Sequence, residues 1–368
     1  MQTAFKIIII SVIIAIASYG VGLVLKGGAG QQTGSGSKTT VSGSGILYSE
    51  DKGDNWTQRA NVTSGQNISK YNITEIAVHP VDTNIIFAGT DSGSLYRSKD
   101  GSSSWEAISD KNNILLTRSM VKAIALDREN SKRLFVAVFQ DSKGRVLRSE
   151  DQGDSFEEMY FTSKDKIGVN DIILSSLNKN QIFIGTDDGL ILESSDGGFS
   201  WRTIGRFTSP IHKLAQTSGG TLLAVVKTKG LLRSNDLGAN WLDSQDTVNG
   251  KRLQSFSGAN SIEYMVIDPQ NASNIYLGTA YGLLRSIDGG ISFTAPPLVI
   301  PPQSLPVMSI GIDPRNSNII FVGAGQAIYR SEDGGEHWSV HAVPTNKRLL
   351  IMSVFPNDGN KILIGVGK

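Results

Sequence analysis

The chain has 368 residues, 35 Lys and Arg against 34 Asp and Glu, a net charge of +1 and no cysteine. Disulfides, thiol catalysis, thiolate metal sites and a cysteine-borne lipid anchor are thereby excluded, and the balanced charge offers no steering toward nucleic acid. Its 40 glycines recur at turn-like places between short apolar runs, as β structure requires, rather than in one tract.

Residues 1–26 hold an uncharged, mostly apolar run of 19 residues, Ile7 to Leu25, between Lys6 and Lys26. A helix of that length spans a bilayer core. The expectation is one N-terminal transmembrane helix serving as an uncleaved anchor. The alternative is a cleaved signal peptide, against which stand the length of the run and the intrusion of Lys26 before Gly27-Gly28-Ala29. Residues 27–44 read GGAGQQTGSGSKTTVSGS, a flexible Gly/Ser tether with no apolar periodicity. Lysines on both sides leave the positive-inside rule undecided. A short stub before a single apolar helix is the usual layout of an exported domain, so the head is expected outside the cytoplasm, at the cell surface or in a periplasm.

From residue 45 onward one pattern recurs: Ser, any residue, Asp, then Gly, with an aromatic at the eighth place. Its members are Ser49, Asp51 and Trp56; Ser98, Asp100 and Trp105; Ser149, Asp151 and Phe156; Ser194, Asp196 and Trp201; Ser234, Asp236 and Trp241; Ser286, Asp288 and Phe293; Ser331, Asp333 and Trp338. The starts are separated by 49, 51, 45, 40, 52 and 45 residues, the length of one four-stranded propeller blade. All five tryptophans of the chain end one of these boxes. The Ser and Asp side chains can accept from backbone N–H groups and fix a tight turn, and Gly permits positive φ. Each box is preceded by two strand-like runs, such as Glu75–Pro80 then Ile85–Thr90, and Ser309–Pro314 then Ile319–Ala324. Each unit thus reads as strand A, turn, strand B, Gly-rich turn, strand C, box, strand D. The tail, Leu350 to Val366, supplies only strands A and B, while Gly45 to about Arg59 supplies only strand C, a box and strand D. Joined, they make one blade. The fold expected for residues 45–368 is therefore all-β, a seven-bladed β-propeller of four-stranded blades closed by a composite N-/C-terminal blade. Such closure removes free sheet edges.

The S-x-D-x-G-x-x-W pattern resembles the Asp-box, or bacterial neuraminidase repeat, of sialidases, sortilin-type ectodomains, xyloglucan-cleaving glycoside hydrolases and the photosystem II assembly factor propeller. The resemblance covers about residues 45 to 368, with Ser102 standing where Gly is expected. It implies boxes on the C–D turns, on the face opposite the usual ligand face. Seven blades behind an N-terminal export segment look most like the assembly-factor propeller.

The resemblance to sialidases also implies an arginine-bearing F/Y-R-I/L-P motif before the first box, and none stands here. Arg97, Arg148, Arg233, Arg285 and Arg330 each directly precede a box serine. A position repeated in this way reads as inter-blade pairing, with a ring of positive charge for an acidic partner as the alternative. Glycoside hydrolysis needs two carboxylates across a sugar. The candidates are Asp91, Asp187 and Asp188 on B–C turns and Asp165, Asp171, Asp243 and Asp246 between blades, and no pair stands out. The four histidines lack metal-ligand spacing. No catalytic, cofactor or metal residue is assigned. Partner contacts are expected on the D–A loops, at Leu115, Leu116, Lys251 and Arg252. The functional expectation is a membrane-tethered, non-enzymatic protein-binding or assembly scaffold, with a protein or glycan on the ligand face; the alternative is a sialidase- or xyloglucanase-like hydrolase on the same scaffold.

Overall fold

The computed structural model describes residues 44–65 and 67–368. The apolar run Ile7–Leu25 and the tether before residue 44 lie outside the described residues. No helix among the described residues is long and apolar enough to cross a membrane.

Seven antiparallel sheets stand in a ring. Blade 1 is composite: its inner strands A and B are Arg348–Phe355 and Asp358–Gly367, and its outer strands C and D are Ile46–Ser49 and Thr57–Gln58. The two parts are joined by the register Ile46↔Gly365 to Ser49↔Ile362. Blades 2 to 7 follow in chain order, with inner strands Ile73–Val78, Met120–Leu126, Val169–Leu174, Ile211–Gln216, Ile262–Ile267 and Val307–Asp313. Each inner strand packs on the next around the ring, and that of blade 1 packs on both blade 7 and blade 2. Six sheets have four strands; in blade 6 the fourth is reduced to one bridged pair, Arg285 with Thr294.

The middle strands are buried on both faces, as in Ile86–Thr90, Ile182–Thr186 and Ile275–Thr279, so they read as continuous apolar runs rather than alternating ones. The recurrent Gly of these runs has a steric reason. A Cβ on Gly89 would lie 2.5 Å from Val121 of the next blade, and one on Gly185 would lie 2.6 Å from Ile211. Glycine there lets neighbouring blades close on each other.

Every box adopts the same turn. The Ser hydroxyl donates to the Asp carboxylate and accepts from the amide four residues on, as at Ser98, Asp100 and Ser102 (2.8 and 2.9 Å). The fourth and fifth places both have positive φ, 60° and 91° at Lys52 and Gly53 and 66° and 76° at Gly101 and Ser102. The box aromatic packs backward onto the preceding blade: Phe156 lies with Phe87 and Leu95 of blade 2, and Trp201 lies with Met159 and Tyr160 of blade 3. The arginines before the boxes reach forward. Arg97 Nη1 donates to Gln152 O at 2.6 Å and to Asp154 at 2.9 Å, and Arg330 Nη1 donates to Lys52 O at 3.1 Å, the latter across the ring closure. Arg148 and Arg285 meet the carbonyls of Gly197 and Gly334 at the same fourth place. Four of the five arginine positions, Arg97, Arg148, Arg285 and Arg330, are thus inter-blade ties.

Candidate functional site: the channel and its loop-side mouth

Strand A of every blade carries a β-bulge near its start, one residue after the first paired position in blades 2, 4, 5, 6 and 7 and two residues after it in blades 1 and 3. A bulge adds one unpaired residue and re-aims the side chains beyond it. The bulged residues are Thr74, Lys122, Asn170, His212, Glu263, Met308 and Leu350, and they ring the end of the channel where the D–A loops enter. His212 and Glu263 are exposed and the other five are half-buried. The rim is polar over five blades and apolar over the last two. Partial burial pulls the His212 imidazole below its ordinary range. The ammonium groups of Lys227 and Lys122 act in the same direction, and Glu263 and Asp187 oppose them.

One step inside the rim, a charged group spans the channel. Lys213 Nζ of blade 5 lies 3.3 Å from Glu75 Oε2 of blade 2 and 3.6 Å from Asp171 Oδ1 of blade 4. Asp171 Oδ2 also accepts from Leu214 N at 2.6 Å. Tyr264 of blade 6 donates to Met352 O of blade 1 at 3.3 Å. Side-chain exposure is 15% for Glu75, 6% for Asp171 and 31% for Lys213. Burial pushes both carboxyls above their ordinary values, the Lys213 ammonium opposing it. Burial pulls Lys213 down, but Asp171 and Glu75 outweigh it and hold the ammonium above the usual lysine range. Burial likewise raises the Tyr264 phenol, and Glu75 adds to this. One cation between two buried carboxylates is a strut, fixed by its own hydrogen bonds.

Asp171 is therefore an inner-strand residue of the channel, not a residue of a connection between blades. The loop-side carboxylates are engaged with neighbouring backbone or side-chain groups. Asp91 accepts from Asn72 N and Nδ2 (3.3 and 2.6 Å), and Asp187 accepts from Gly168 N and Asn170 Nδ2 (2.9 and 2.7 Å), so each pins its B–C turn to strand A of its own blade. Asp188 accepts from Thr186 Oγ1 at 2.7 Å. Asp246 accepts from Arg252 N at 2.9 Å, Asp243 from Ser244 N at 2.7 Å, and Asp165 lies 3.8 Å from Lys143. No group of three or more His, Asp or Glu among the described residues is arranged to hold a metal ion.

The four residues singled out on the D–A loops separate. Leu115 is 5% exposed and packs among Phe87, Leu95 and Phe156, while Leu116 beside it is 37% exposed. Lys251 pairs by backbone with Phe293 and lines an open cleft of about 330 Å3 with Val248 and Phe256. Arg252 is exposed and opens the short 3-10 turn Leu253–Ser255. The structure does not bring the two pairs together. Residue reading missed Glu75, Lys213 and Tyr264. It also missed the seventh box place, where Asn55, Ser104, Ser155, Ser200, Asn240, Ser292 and His337 each bond the box Asp through a side chain.

No protein-family model matches the chain. Among curated relatives, it is 28% identical over 156 residues to an oligoxyloglucan-reducing end-specific xyloglucanase of Emericella nidulans, a match covering 37% of this chain and 18% of that protein. It is 25% identical over 93 residues to the photosystem II assembly lipoprotein Ycf48 of Prochlorococcus marinus, covering 25% of this chain and 28% of that protein. The chain thus spans less than a third of the length of either relative. Among solved structures, the GH74 xyloglucanase from Xanthomonas campestris superposes with a TM-score of 0.64 at 18% identity, over 81% of this chain and 51% of that one. YCF48 bound to D1 peptide superposes with a TM-score of 0.60 at 14% identity, over 81% and 94%. These likenesses share the seven-bladed propeller fold.

Proposed function

We propose that the chain is a non-enzymatic binding propeller of the Asp-box type, tethered to a membrane by Ile7–Leu25 with its head outside the cytoplasm, and that a partner protein docks on the loop-side mouth of the channel. The observation that carries this reading is the commitment of the carboxylates there. Asp91 and Asp187 hold turns, and Glu75 and Asp171 are tied to Lys213 inside the channel. A glycosidase keeps an acid and a base free on either side of a sugar. The rim, with Lys122, His212 and Glu263 on one arc and Met308 and Leu350 on the other, offers both charge and apolar surface to a protein segment. The likeness to YCF48 bound to D1 peptide supports the same reading.

The test is site-specific photo-crosslinking in native membranes. A crosslinker at Lys122, His212 or Glu263 is expected to capture one and the same protein, and a crosslinker at Lys52 or Gln152 on the opposite face is expected not to. Equal labelling from both faces would reject the docking site. The xyloglucanase relatives motivate a second reading, a carbohydrate-active hydrolase. Turnover of xyloglucan oligosaccharides by the purified protein, abolished by Asp187→Asn, would establish it in place of the first.

A further inference from the structure

The chain joins the ring at the loop-side rim. Strand C of blade 1 runs from Ile46 to its box at Ser49, so Ile46 stands at the end where the D–A loops enter the channel. Just before it, Gly45 O accepts from Val366 N at 2.9 Å, and Ser44 O accepts from Gln58 Nε2 at 2.8 Å. A Cβ on Gly45 would lie 2.8 Å from Ser69 Cα. Residues 44 and 45 are thus held between strands B and D of blade 1 and the 3-10 turn Ile68–Lys70.

The rim is basic at this place. Lys347 and Arg348, at the start of strand A of blade 1, line a cleft of about 350 Å3 with Gln326, Asn346 and Lys368, and no Asp or Glu lines it. Lys368 N donates to Asn72 Oδ1 at 2.8 Å, which joins this cleft to the start of blade 2. There Lys70 is exposed, its ammonium 4.9 Å from the centre of the Tyr71 ring. Asp91, the carboxylate beside Asn72, is already taken up by the Asn72 amides. The opposite face has the other sign. The seven boxes carry thirteen Asp and Glu against two Lys, and the five arginines that precede boxes leave an acidic excess.

We propose that this edge of the loop-side face, at Lys70, Lys347 and Arg348, docks on the anionic lipid headgroups of the membrane that holds the chain. The proposal rests on reading Ile7–Leu25 as an anchor. Residues 27–44 number eighteen, and a Gly/Ser-rich chain of that length has a root-mean-square span of about 20–25 Å. The rim that residue 44 leaves from is therefore offered to the headgroups at high effective concentration. Each Lys or Arg at an anionic surface strengthens association by about fivefold, an effect that fades within a Debye length of about 8 Å in physiological salt. The same surface repels the acidic box face, so charge orients the head with its boxes away from the lipid. Lys122, His212 and Glu263 stand on blades 3, 5 and 6 rather than at this edge, which leaves them to the partner protein.

The experiment uses the full chain reconstituted in vesicles of phosphatidylcholine alone or with an equal part of phosphatidylglycerol. The chain has no cysteine, so Asn346→Cys or Lys179→Cys each gives one place for a donor dye, the first in the basic cleft and the second on the exposed A–B turn of blade 4 at the box side. Energy transfer to a headgroup-labelled acceptor lipid is the readout. With phosphatidylglycerol, transfer from position 346 is expected to exceed that from position 179 at least twofold. The difference is expected to vanish in phosphatidylcholine alone, in roughly 1 M salt, where the Debye length is about 3 Å, and in the triple variant Lys70→Gln/Lys347→Gln/Arg348→Gln, which keeps its melting temperature. Equal transfer from the two positions with phosphatidylglycerol overturns the proposal and leaves the cleft to an acidic protein. A difference that persists in the triple variant or without anionic lipid overturns it as well. Washing the vesicles with alkaline carbonate reads the anchor separately: a chain washed off rejects the anchor and the docking with it, whereas a chain that stays and shows no difference rejects the docking alone.

Discussion

Two consecutive left-handed residues in each box allow the Ser hydroxyl and the Asp carboxylate to collect the turn's amides. Three boxes place a side chain at the first of them, at Lys52, Gln152 and Leu237, and only one does so at the second, at Ser102. The second place is the tight one: a Cβ on Gly153 would lie 2.7 Å from Ile108. Ser102 is fully buried, has φ 76°, and its hydroxyl has no hydrogen-bond partner. Ser102→Gly relieves a left-handed conformation and a buried unsatisfied hydroxyl, against a loss through a more flexible unfolded chain. The variant is expected to be about 1 kcal/mol more stable in urea denaturation, and a lower midpoint would contradict the strain. Ser, Asp and the aromatic were legible in the sequence because their identity repeats. The seventh place was not, because Asn, Ser and His share only the ability to donate.

The inner strands carry a charge cluster of their own inside the channel. Alternation marks one face of each strand as channel-lining, but the bulge shifts that parity by one residue, so Glu75 and Lys213 drew no attention and Asp171 read as a candidate carboxylate between blades. Their partnership spans 138 positions of chain and appears only when the ring closes. Lys213→Met would leave two buried carboxylates without a cation, a change expected to cost about 3–5 kcal/mol at neutral pH. Its pH dependence has a definite sign. Both carboxyls already sit above their ordinary values through burial, and losing the ammonium raises them further. A carboxyl with a raised folded-state value binds its proton more tightly when folded, so the folded state gains as pH falls through that value toward the unfolded one, about 4. The deficit of Lys213→Met should therefore shrink between neutral pH and about pH 4, measured as the difference in urea midpoint from the parent. A deficit that stays constant over that range would mean the carboxylates are not the cause.

For the whole molecule, blade count and closure were legible because seven boxes count seven sheets and the half-units at residues 45–59 and 350–366 complement each other. The loop-side face was not, because D–A loops differ in length and composition from blade to blade, so no repeat singles out their contact residues. Leu115 shows the difficulty: its loop is long and polar, yet the side chain turns into the core.

The composite blade also decides how the head responds to tension. Strand C starts at Ile46 and strand B ends at Gly367 on the same rim of the ring, with Val366 N bonded to Gly45 O at 2.9 Å. A pull between residues 44 and 368 therefore meets the Ile46–Ser49 ladder end-on and opens it one rung at a time, as a zipper, instead of loading all four rungs in shear. In optical tweezers with handles at those two residues, the first rupture should come at low force and release blade 1 alone, and a single high-force event for the whole ring would show the seam to be locked. The seam that closes the ring is thus expected to be the place where traction opens it.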